Sequence, residues 1–154
     1  MKNLELWGLG GPSLLVVSVE CQSLFAAMMP PSGSVAVARL DGAAMIETHD
    51  VFDQFSRALR FPVYFGWNWD ALSDCLRDLS WWPADRYLVI IDHAESILLG
   101  GAEERGSLLS ILSQAAQEWA NPVGKPNGEG IPFKVLLLCV EDSVEALRAE
   151  VDSW

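Results

Sequence analysis

The sequence predicts an α/β domain: a small, mainly parallel three-stranded sheet flanked by helices, with an added β-hairpin-like segment at the N-terminus. Three observations predict it. The apolar runs at residues 87–92 and 135–140 are continuous rather than alternating, as in strands covered on both faces. Segments with apolar residues at helical spacing separate the candidate strands. The resulting order, strand, helix, helix, strand, helix, strand, is that of helices layered on a sheet.

Residues 1–34 hold only three charges, Lys2, Glu5 and Glu20. Within them, residues 4–7 and 14–19 flank a cluster of Gly8, Gly10, Gly11 and Pro12, which reads as two strands and a turn. So apolar a segment must pack, so it is expected to be an addition to the same domain. Pro30, Pro31, Ser32 and Gly33 break the chain before the main unit, residues 35–140. Residues 35–40 read as its first strand, stopped by Asp41-Gly42. Residues 48–59 carry Phe52, Phe55 and Leu59 at i, i+3, i+7, a helical stripe. Residues 61–68 form an aromatic loop, and Asn68 is placed to cap a helix over 69–79. A longer helix over 107–119 precedes Asn121-Pro122. The tail, residues 141–154, carries a short helix over 143–150.

Composition narrows the function classes. Ten Lys and Arg against twenty-one Asp and Glu give a net charge of −11. Nucleic-acid binding needs a basic face that releases counterions, so direct contact with nucleic acid is not expected. A membrane partner is not expected either. A basic partner is, because opposite charge raises the encounter rate. Three cysteines, Cys21, Cys75 and Cys139, without CxxC spacing, fit reduced thiols, and the expected location is the cytoplasm. Catalysis has little support. His49 reads as a surface residue of the first helix turn and His93 as a loop residue after a strand. The Cys and His residues are too dispersed for a metal site, and no cofactor is implied.

The helix over 69–79 asks for a function. At about 100° per residue, Asp70, Asp74 and Asp78 share one face and the apolar residues the other. Like charges at i, i+4 destabilise a helix by roughly 0.2–0.5 kcal/mol per pair. Arg77 falls on the acidic side, where it can partly neutralise Asp74 or Asp78. Tyr64, Phe65, Trp67 and Trp69 stand immediately before the aspartates. Charge and composition alone leave a solvated face and an interaction surface about evenly matched.

Residues 61–76, with Pro62, then Tyr64-Phe65-Gly66-Trp67-Asn68, then Asp70-Ala71-Leu72-Ser73-Asp74-Cys75-Leu76, resemble the signature of the barstar family. These are small intracellular inhibitors of secreted ribonucleases of the barnase type. The resemblance covers about residues 35–140 and implies a barstar-like fold. It also implies a mechanism, in which the acidic helix and the loop before it plug the ribonuclease active site and a carboxylate replaces the substrate phosphate. Asp74 matches the central carboxylate and Asp70 an auxiliary one. Tyr64 matches the ring that covers the enzyme's catalytic histidine, while Gly66 and Asn68 shape the loop. Gln114 and Glu118 match two further acidic contacts, one of which has lost its charge here. Ser73 stands where the best-known member has an aromatic contact. Trp67 and Trp69 replace smaller or aliphatic residues. Trp67 and Asp78 complete the expected partner-binding set: Tyr64, Gly66, Trp67, Asn68, Asp70, Asp74, Asp78, Gln114 and Glu118.

The resemblance therefore implies a basic ribonuclease toxin as partner and no enzymatic activity. A monomer is the expectation for the free protein. Immunity to a toxin of another class, or a regulatory role, is the alternative reading. A carboxylate-based hydrolase is a remote one. Trp81 and Trp82 are extra aromatics that either enlarge the contact surface or pack against the N-terminal addition, the second being the preferred reading.

Overall fold

The structure, a computed structural model, describes residues 9, 11–20, 33–122 and 130–153. Its strands are β1 (Leu14–Ser18), β2 (Val35–Asp41), β3 (Arg86–Asp92) and β4 (Phe133–Cys139). They form one sheet in the order β1-β4-β3-β2, and every neighbouring pair is parallel. Its helices are α1 (Thr48–Ala58), α2 (Trp69–Asp78), α3 (Ala102–Ala120) and α4 (Val144–Asp152).

The α/β class and the parallel sheet are as the sequence predicts, but the described sheet has four strands rather than three. The fourth is β1, whose residue Val16 lies beside Leu137 of β4. Residues 14–18 thus pair in parallel with a strand distant in sequence, rather than only within a local hairpin. The other half of the expected hairpin, residues 4–7, lies outside the described residues. Local turn chemistry pointed to a neighbour in sequence, whereas the unpaired edge of β4 supplied one in space.

Burial follows strand position. In β2, an edge strand, buried and exposed residues alternate, with Ala36, Ala38 and Leu40 inward and Val37 outward. The central strands β3 and β4 are buried on both faces. Val89, Ile91, Val135 and Leu137 join the large core under the helices, while Leu88, Ile90, Leu136 and Leu138 form a second cluster with Leu15, Val17 and Val35. The crossovers from β2 to β3 and from β3 to β4 step the same way across the sheet. Right-handed connections then place α1, α2 and α3 on one face, and core residues of all three lie in the same cluster.

Two details differ from the sequence pattern. Gly106 interrupts the apolar spacing, so the expected start of α3 fell at Ser107. The helix begins at Ala102, and Glu103 and Glu104 occupy its first turn, where the helix dipole favours them. Lys134 lies inside β4 and is buried, its ammonium donating to the Pro12 carbonyl at 3.0 Å. Burial pushes its pKa down.

Candidate functional site

The aromatic loop starts where α1 stops. Arg60 takes a left-handed conformation, φ 59°, and the Phe61 N–H donates to the Ser56 carbonyl, a bond that ends the helix and turns the chain. Trp81 and Trp82 stand at this junction, while most of the N-terminal segment they are expected to pack against lies outside the described residues. The Trp81 indole donates to the Leu59 carbonyl at 3.0 Å and its ring meets Phe61 edge-on. The Arg60 guanidinium lies 4.9 Å from the centre of a Trp82 ring.

Inside the loop, the Phe65 N–H donates to the Pro62 carbonyl, making a tight turn with Val63 and Tyr64 at its tip. Phe65 points inward against Phe52 and Phe61. Tyr64 points outward and is 69% exposed. One ring anchors the turn and the next is presented to solvent. Trp67, φ 53°, stacks on His49 of α1 with ring centres 5.0 Å apart. The sequence placed His49 on the surface but gave no sign of this stack, because the two residues lie on different elements.

Asn68 joins loop to helix. Its side-chain oxygen accepts the Ala71 N–H at 2.8 Å, capping α2 as expected, and its amide donates back to the Gly66 carbonyl at 3.1 Å. A Cβ on Gly66 would approach that amide to 3.2 Å, so glycine leaves room for the clamp.

On α2, Leu72, Cys75 and Leu76 face the core. Asp70, Asp74 and Asp78 are exposed, and Asp70 sits in the first turn. Burial, reinforced by Asp78 and Asp74, pushes the Cys75 thiol up and leaves it protonated. The helix ends at Leu79, which is left-handed and buried.

Asp74 does not stand alone. Arg77 Nη2 donates to Asp74 Oδ1 at 2.7 Å, and Nη1 donates to Glu118 Oε2 of α3 at 3.1 Å. Hydrogen bonding to Glu118, joined by the Asp74 carboxylate, holds the Arg77 pKa above its ordinary value. Asp74 and Glu118, 44 positions apart in sequence, thus meet at one guanidinium. Gln114, one turn before Glu118, is exposed and donates to Ser110 Oγ at 3.2 Å. Arg77 joins the site as the residue that links α2 to α3, a role that helical spacing alone could not reveal.

The arrangement suits recognition of a cationic surface: exposed carboxylates on a capped helix beside an exposed phenol, with an aromatic layer below. Among the described residues, no group of three or more His, Cys, Asp and Glu side chains could hold a metal ion, and no helix is long and apolar enough to cross a membrane.

Comparison with curated proteins finds no match. The family model described as barstar (barnase inhibitor) matches residues 35–138, from the first residue of β2 to the penultimate residue of β4. That span carries the aromatic loop, its asparagine clamp and the acidic face, and with the matching α/β fold it shows that the chain belongs to the barstar family.

Proposed function

We propose that this protein binds a basic ribonuclease of the barnase type inside the cell and blocks its active site with α2 and the loop before it. The observation that carries this reading is the exposed Asp74 carboxylate beside Asp70, on a helix whose start is clamped to the Tyr64 loop through Asn68. A site built to hold phosphate presents cations, and preorganised carboxylates satisfy those cations without offering a bond to cleave. The exposure of Tyr64 supports a role in covering the enzyme's catalytic histidine, and Glu118 extends the acidic surface onto α3. The protein acts as a binder, not an enzyme, and is a monomer when free.

The test is binding to a purified barnase-type ribonuclease, followed by calorimetry and by loss of RNA cleavage. Asp74→Ala should weaken binding by at least about 30-fold, as for loss of a charge pair of about 2 kcal/mol or more. Asp152→Ala, at the end of α4, should leave it unchanged. Equal effects of the two substitutions would remove the site assignment.

A further inference from the structure

We propose that Arg77 moderates the affinity of the acidic face for a cationic partner from within, an inference that rests on the ribonuclease-inhibitor reading. All three guanidinium nitrogens are engaged by the face itself: Nη2 with Asp74, Nη1 with Glu118, and Nε with the Ser73 carbonyl at 3.2 Å. The Arg77 side chain is 38% exposed, whereas that of Asp74 is 74% exposed, so the cation sits lower and the carboxylate above it remains reachable. An incoming guanidinium that docks on Asp74 therefore meets a carboxylate already sharing one oxygen with Arg77. It also brings like charge close to Arg77 as water is excluded from the contact, which raises the cost. A built-in repulsive element lowers binding to a wholly cationic pocket. The face thus binds a basic site less tightly than its carboxylates alone would allow.

The test compares wild type, Arg77→Gln and Arg77→Lys for binding to a purified basic barnase-type ribonuclease across a range of salt concentrations. Arg77 is an exposed helix position, so each variant should fold, as melting curves will verify. Arg77→Gln removes the charge and should bind about five-fold more tightly, the equivalent of an exposed ion pair of about 1 kcal/mol. Its association should be faster and more salt-dependent. Arg77→Lys keeps the charge and should stay within about two-fold of wild type. Binding by Arg77→Gln that is equal to or weaker than that of wild type overturns the role of Arg77 and leaves the inhibitor reading intact. A gain in Arg77→Lys equal to that in Arg77→Gln overturns the charge-based account. No binding by any of the three overturns both readings. Binding by Arg77→Gln alone, with none by wild type, overturns the inhibitor reading on which the proposal rests.

Discussion

The indole N–H of Trp119 on α3 donates to the main-chain carbonyl of Leu76 on α2 at 2.8 Å. That carbonyl lies in the last turn of α2, where the helix offers no N–H to meet it. A side chain from one helix thus completes the end of another, and the two helices that carry the acidic face are fixed to each other. Trp119→Phe keeps an aromatic ring, though a smaller one, but leaves the carbonyl without this donor. Chemical denaturation should show a loss of about 1–2 kcal/mol.

Asn68 does two jobs that substitution can separate. Asn68→Ala removes both the helix cap and the clamp on Gly66, and should cost about 1 kcal/mol of stability. Asn68→Asp keeps an oxygen for the Ala71 N–H but loses the amide that donates to Gly66. It should retain most of the stability while releasing the loop, seen as faster amide exchange at Phe65 and Gly66. Equal exchange in wild type and Asn68→Asp would show that the clamp does not order the loop.

At the far end of β2 and β3, His93 Nδ1 lies 2.9 Å from Asp41 Oδ1. The hydrogen bond to Asp41 raises the His93 pKa, and the same bond lowers that of Asp41. The histidine contribution is complete below its unfolded value of about 6.5 and is lost as pH rises through the raised folded value. The aspartate contribution is present above its unfolded value of about 3.9 and is lost as pH falls through the lowered folded value. The pair therefore stabilises most between about pH 4 and 6.5. His93→Asn tolerates the left-handed backbone at this position, φ 50°. Urea titrations should show its deficit relative to wild type at about pH 5.5, shrinking by about pH 8.5.

Cys75 and Cys139 are buried free thiols, and burial pushes both of their pKa values up. In a Cys21→Ser background, neither should react with a thiol reagent until the protein unfolds. Rapid labelling of the native protein would show that one of these core positions opens easily.

The fold was legible wherever one element carried its own signal. The apolar runs in β3 and β4, the Phe52–Phe55 stripe of α1 and the Asn68 cap all followed from spacing and side-chain chemistry. The acidic face was legible for the same reason, since Asp70, Asp74 and Asp78 share one helix. Relations between elements were not. The β1–β4 pairing, the His49–Trp67 stack and the Arg77 bridge to Glu118 each join residues that local pattern cannot connect. Gly106 shows the opposite failure, a local irregularity that tertiary packing overrides: it is buried within α3 without ending the helix.

The position of β1 at the sheet edge has a consequence in time. Its neighbour in the described sheet is β4, more than 100 residues further along the chain. During synthesis β1 emerges first of the four described strands and must wait for β4, while β2 and β3, with α1 and α2 between them, become available to pair sooner. Closing so long a loop is entropically costly and belongs to the slow, non-local part of folding. The α2 part of the acidic face thus lies between strands that pair over a short loop, whereas β1, the first made of the four described strands, must wait for β4.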